Sequence, residues 1–392
     1  MASPLEWNSL ENFSTGFHYY WTCPLHWNKA KREFVSTKST TLLIPWIIVV
    51  FIITPLITSY CTAVILLTIY GKVLAPLTNL IVFSILTILN FLMAAIEFSM
   101  YVHVESLTIA SNYLVETSKR ESKSVPQGKV DKLGLFLNAS VALFSIYPYC
   151  MTPFGFYFRL DPVFHFAKYV LHLEMNTLRD HLFLFPLRIC QFLPLLQICR
   201  LFPFLNCLVC LTTKLLLDAI HTLDTWAFLI RFSRPRADLQ VRRYLELAVT
   251  VQVAYAILAT IVALLMGLGL ILCILFNFVS IKLYNVVPMP LYLCFPPVAV
   301  VIPLIIDTLL PFGISVNDKA DKLKIKWGRK LVSSSDLKYI RRRVLAINPL
   351  HIPCGILGFK FFKLTKSIKV WFYDQILNYT ITALLSNTNV GI

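Results

Sequence analysis

Gln375, Asn378, Thr382, Ser386 and Asn389 follow one another at intervals of 3, 4, 4 and 3 residues near the carboxyl end. On an α-helix that spacing stacks them along one face, while Trp371, Ile376, Leu377, Ile381, Leu384 and Leu385 cover the remainder. A column of amide and hydroxyl oxygens on an otherwise apolar helix can pass a hydrated cation. Asp374 would stand at its mouth, and Leu384 or Leu385 would serve as a gate that closes by dewetting. The competing use of such a stripe is polar contact between packed helices.

Three ionisable residues fall inside long apolar stretches: Glu97, Arg200 and Asp307. A charge in hydrocarbon costs about 2.5 to 3.5 kcal/mol at the centre of a membrane helix, so each is a functional candidate. The first reading is an acidic inner mouth that attracts cations, with Arg200 paired to a carboxylate. The alternative is that each caps or snorkels at an interface. Tyr149, Phe156, Gln191, Phe192, Asn277 and Tyr292 cluster at the ends of four such stretches. That mixture of rings and weakly polar groups suits a small organic ligand. The same residue types also form the aromatic belt of any membrane helix.

Other chemistries lack their residues. There is no GxSxG, HExxH, P-loop or glycine-rich nucleotide turn, so an enzyme is not expected, nor is a cofactor. Cys207 and Cys210 form a CxxC, but on an apolar segment without companion ligands, which reads as core packing rather than a metal site. The ten cysteines give no disulfide framework. Sequons at Asn12, Asn138 and Asn378 fall in a polar amino-terminal tail or within apolar runs, where glycosylation is not expected.

The elements that must position these residues are set by hydrophobicity. Of 392 residues, 57% are hydrophobic and only 14% are charged, too apolar a balance for one or two soluble domains to bury. Uncharged runs separate Lys38 from Lys72, Lys72 from Glu97, Lys132 from Arg159, Glu246 from Lys282 and Lys282 from Asp307, and another follows Asp374. A bilayer core about 30 Å thick takes roughly 20 apolar residues in helical form. The expected spans are 42–69, 77–101, 134–157, 187–213, 247–281, 287–312 and 370–389. The fourth is punctuated by Arg188, Arg200, Pro186, Pro194 and Pro203. The fifth is about 52 Å long at helical rise, so its start, around Arg242 to Val253, should stand outside the lipid.

Lys and Arg divide unevenly between alternate connections, 24 against 5. By the positive-inside bias the amino terminus is cytoplasmic and the carboxyl terminus extracellular, the reverse of a G-protein-coupled receptor. The net charge of +16 then faces acidic lipid, and no nucleic-acid partner is implied. The expected fold is an all-α, seven-transmembrane helical bundle in the plasma membrane. Residues 1–41 form a cytoplasmic amino-terminal segment and 42–313 a ligand-sensing bundle of six helices. Residues 314–369 form a basic cytoplasmic segment with an anchor helix, and 370–392 the candidate pore helix. Lys360, Lys363, Lys366 and Lys369 recur every third residue and predict an amphipathic helix or elbow at the inner surface.

This layout resembles the arthropod gustatory and odorant receptor superfamily. The resemblance rests on length, inverted topology, the basic loops, and the stretch from Ile347 (INPLHIPCGILGFKFFKL) through WFYDQILNYTITALLSN. Gustatory members close with Thr-Tyr, five apolar residues and Gln-Phe. Here Thr380 and Ile381 would take the Thr-Tyr places and Asn387 and Thr388 the Gln-Phe places, which marks a divergent member. The resemblance implies a homo- or heterotetrameric, ligand-gated, non-selective cation channel without cofactors. Its last helix would line the pore, and its long helices would meet in a cytoplasmic anchor. The expected partners are a small organic tastant or odorant, related subunits and the bilayer. The alternatives are a metabotropic seven-helix receptor, for which neither a DRY-type triplet nor a placed NPxxY is present, and a secondary transporter built on Glu97, Asp307 and Arg200.

Overall fold

The computed structural model describes residues 3–121, 131–172, 178–226, 234–293, 295–332, 338–356 and 359–386. The chain is mostly helical, and six helical stretches are long and apolar enough to cross a membrane: Thr40–Ile69, Leu77–Val102, Lys132–Tyr169, Phe183–Thr225, Tyr255–Lys282 and Phe295–Leu331. The expected last span is helical over Lys366–Ser386 but is not among those six. Its polar stripe lowers its hydropathy.

The amino-terminal segment is folded. Helix α1 (Pro4–Gly16) starts at a capping box in which Ser3 and Glu6 satisfy each other's backbone N–H groups. A hairpin of β1 (Leu25–Asn28) and β2 (Glu33–Ser36) follows. Asn112 mimics a third strand by accepting from the Phe34 N–H and donating to the Phe34 carbonyl, both at 2.8 Å. The first span runs through α2 (Thr40–Ile47), a wide π-helical stretch at Ile48–Ile53, and α3 (Thr54–Ile69). Helix α4 (Leu77–Val102) returns and, after a break at His103, continues as α5 (Val104–Glu121). Next come α6 (Lys132–Tyr157), α7 (Pro162–Tyr169), α8 (Leu178–Cys190) and α9 (Phe192–Thr225).

The fourth span, Phe183–Thr225, therefore starts earlier and ends later than 187–213. Gln191 breaks the helix, Pro194 falls in the first turn of α9, where a missing N–H costs nothing, and Pro203 is carried inside the helix. Helix α9 is the centre of the chain. In its most apolar window 78% of residues are buried, against 17–39% in the other five spans, which keep faces open for lipid or other chains.

The overlong fifth helix is two: α10 (Arg234–Val253) and α11 (Tyr255–Lys282), meeting at Ala254. After the short α12 (Met289–Tyr292), α13 (Phe295–Val332) runs unbroken for 38 residues, straight across position 313. Ala320, Leu323, Trp327 and Leu331 lie on one buried face of its basic half. That half packs with α9 and with α14 (Lys338–Ala346), while α10 packs with α5, α9 and α14. Tyr244 sits in this layer against Trp327, and its hydroxyl accepts from the Leu350 N–H at 3.0 Å. Burial pushes its phenol up to about 12. Ion pairs Lys326–Asp224 and Arg343–Asp238 rim the layer.

Where a lysine-rich amphipathic helix or elbow is expected before the last helix, the structure has a hairpin. Strands β3 (Pro353–Ile356) and β4 (Phe359–Lys363) pair antiparallel and rest on α11. The Lys360 ammonium lies 4.9 Å from the centre of the Tyr255 ring, at the α10/α11 junction. Helix α15 (Lys366–Ser386) leaves the hairpin directly.

Candidate pore helix and the clusters beside it

Helix α15 packs on α11 and α13 through Phe372, Ile376 and Thr380, spaced four apart. Phe372 and Ile376 join Cys273 in a small apolar cluster with Met266, Leu270, Ile302 and Ile306. Gly269 permits this approach: a Cβ there would lie 2.9 Å from Ile306 Cδ1 and 3.8 Å from the Phe372 ring. Three polar contacts add direction. Lys369 pairs with Asp307 at 2.5 Å, Lys366 with Asp318 at 3.2 Å, and the Tyr373 hydroxyl donates to the Pro303 carbonyl at 3.4 Å.

The opposite face of α15 is bare. Asp374, Asn378, Thr382, Leu385 and Ser386 are exposed and Gln375 is half-buried. At about 100° per residue, Leu385 falls between Asp374 and Asn378, inside the polar stripe rather than beside it. The stripe's side chains are held by their own helix. Asp374 accepts from Asn378 Nδ2 at 3.1 Å and from Gln375 Nε2 at 3.3 Å, while the Thr382 and Ser386 hydroxyls donate to the carbonyls of Asn378 and Ala383. Their remaining lone pairs point outward. Asn389, and the Asn387 and Thr388 of the closing motif, lie outside the described residues.

The three expected intramembrane charges divide. Asp307 is exposed and tied to α15, as above. Glu97 and Arg200 are buried in one cluster with the amino-terminal strap. Gln197 Nε2 donates to Glu97 at 2.6 Å and Trp46 Nε1 donates to its other oxygen at 3.2 Å. Trp21 Nε1 donates to Gln197 at 3.0 Å, and the Arg200 guanidinium donates to the Trp21 carbonyl at 2.5 Å. Arg200 is thus satisfied by backbone, not by the carboxylate partner expected for it. A cavity of about 30 Å³ adjoins this network between Cys23, His26 and Met100, room for a water. Glu97 is thus 3% exposed, with both oxygens taken by Gln197 and Trp46. Gln197, Trp21 and Trp46 were not singled out from sequence, because partners 51 to 176 residues apart leave no spacing signal.

The aromatic candidates fall into two groups. Tyr149 and Phe192 meet with ring centres 5.6 Å apart, Gln191 neighbours Phe192, and the Arg188 guanidinium lies 5.0 Å from the Phe156 ring. Asn277 lies on α11 away from these, and the Tyr292 hydroxyl donates to the Ser280 carbonyl at 2.7 Å. Neither group lines the groove between α3 and α4 or the small cavity beside Glu97.

A bundle of this kind, with a central α9, helices extended into a basic packing layer and a peripheral last helix, is a multi-span helical membrane fold. It is shared with solved structures. No protein-family model and no curated protein matches the chain. The insect olfactory receptor OR5 from Machilis hrabei in complex with eugenol superposes over 97% of this chain and 98% of its own, with a TM-score of 0.61 at 13% identity. The structure of the same receptor described without a ligand gives 0.59 over 97% of both chains at 14% identity. The expected likeness to insect chemoreceptors thus holds at the level of the fold.

Proposed function

We propose that the chain is a chemosensory receptor subunit: a small organic molecule gates a non-selective cation channel whose wall is the polar face of α15. The observation that carries this reading is the polar stripe Asp374, Gln375, Asn378, Thr382 and Ser386 on a helix that packs on α11 and α13 through Phe372, Ile376 and Thr380 on another face. In lipid such a stripe leaves hydrogen-bonding groups without water. One helix encloses no pore, so copies of the chain or related subunits, four in this reading, bring their stripes around a common axis. The open faces of the other spans give room for those contacts.

In this arrangement the chain crosses the plasma membrane seven times. The 24-to-5 charge bias places the amino terminus and the α5/α10/α13/α14 layer in the cytoplasm. The layer would serve as the anchor between subunits, and no catalytic role is assigned. The ligand enters among spans two to six, with the Tyr149, Phe156, Gln191 and Phe192 group and the Asn277 and Tyr292 group as contacts. Support for a small organic ligand comes from the fold shared with a receptor solved with eugenol. The test is whole-cell recording from cells expressing the chain, alone and with a related subunit, against sugars, bitter compounds and volatiles. A ligand-evoked cation current is expected. Metabotropic signalling without such a current would overturn the reading.

A further inference from the structure

A groove of about 470 Å³ opens between α3 and α4, apart from both aromatic groups. Its α3 wall is Thr54, Thr58 and Thr62, four residues apart, with Ser59; its α4 wall is Asn90, Phe91 and Ala94. The backbone explains why the helices do not close on each other here. The π-helical stretch at Ile48–Ile53 ends where Thr54 N–H reaches back to the Val49 carbonyl, and Pro55 follows on the rim without an N–H to donate. Wide turns of this sort recur at functional sites.

The groove's hydroxyls are donors already spent. Thr58 and Thr62 donate to the carbonyls four residues back and Thr54 to that of Val49, so each presents only acceptor lone pairs. Asn90 differs. It is 2% exposed, it lines the groove, and its amide has no hydrogen-bond partner among the described residues. By helical rise Asn90 lies about 20 Å from the turn joining α3 to α4, level with Thr58 and deep within a hydrocarbon core about 30 Å thick. An acyl chain offers an amide nothing there, and phospholipid and sterol head groups stay at the interface.

We propose that this groove binds an uncharged small molecule with an apolar body and one hydrogen-bonding oxygen, entering sideways from the bilayer. Asn90 pairs with the oxygen, a ligand hydroxyl can donate to the Thr58 oxygen, and Phe91 and Leu66 cover the apolar part. No charged residue lines the groove, which excludes an ionic ligand. The volume lies in the range of small-molecule sites. The site stands independently of the channel reading, because it is tested by binding alone.

The experiment is photolabelling of the full chain in phospholipid nanodiscs with a diazirine-bearing octanol, mapped by mass spectrometry. Label is expected in the peptides spanning residues 54–66 and 90–94. Excess octanol should displace it, whereas excess octane should not. Asn90→Leu should cut that labelling roughly tenfold, the scale of one lost buried hydrogen bond. Should Asn90→Leu not fold, Thr58→Val, which keeps the shape and removes the hydroxyl, gives a smaller loss of the same kind. Label spread evenly over the outward faces, equal displacement by octane, or labelling unchanged in the variants would overturn the proposal.

Discussion

Lys369, in the first turn of α15, forms an ion pair with Asp307 midway along the apolar part of α13, at 2.5 Å. With the Tyr373 hydroxyl on the Pro303 carbonyl, it fixes the rotation of α15 and so the direction of the polar stripe. Because both side chains are partly exposed, the pair is worth at most about 1 kcal/mol.

If the pair biases the open and closed packings differently, Asp307→Lys shifts the half-activating ligand concentration by up to about fivefold. Adding Lys369→Asp should restore it. A dose-response double-mutant cycle reads the coupling. Additive effects would show that the pair does not set the orientation of α15.

Gln197→Leu strips Glu97 of its shortest hydrogen bond while leaving the carboxylate buried. A loss of about 2 kcal/mol follows from a broken bond to a charged group. The thermal midpoint in detergent should fall by several degrees. Glu97→Gln, which removes the buried charge and keeps one acceptor oxygen for either Gln197 or Trp46, should fall less. The reverse order would mean that the network is not organised around the carboxylate.

His26, on β1, faces the same small cavity. Burial, and secondarily the Arg200 charge, hold its imidazole below the usual histidine range. The folded strap therefore favours neutral His26. Its contribution is complete above the unfolded pKa of about 6.5 and is lost as pH falls below it. Thermal midpoints at pH 7.5 and 5.0 should differ more for the wild type than for His26→Gln. Equal differences would place the acid sensitivity elsewhere.

Much of this was legible in residue order. Uncharged runs locate spans well because hydrocarbon forbids charge, and the expected 77–101 became 77–102. Ends were misjudged where helices leave the apolar run and continue by amphipathic packing. Helix α13 reaches Val332 because Val316, Ala320, Leu323, Trp327 and Leu331 keep a buried stripe through a basic segment. That stripe was visible at spacings of 4, 3, 4 and 4, masked by the lysines between. The every-third lysines misled in the same region: Lys360 and Lys363 belong to β4, Lys366 and Lys369 to α15. Spacing alone revealed the polar column of α15. Which side of the helix is covered depends on α11 and α13, and on Gly269 nearly a hundred residues earlier.

Cysteine substitution along α15, probed with a small thiol-reactive cation during ligand-evoked current, tests the pore assignment most directly. A pore lined by this helix predicts block at positions 374, 378, 382 and 386, with little effect at 372, 376 and 380. Modification of the second set without the first, or no change in current at any of the seven positions, would contradict it.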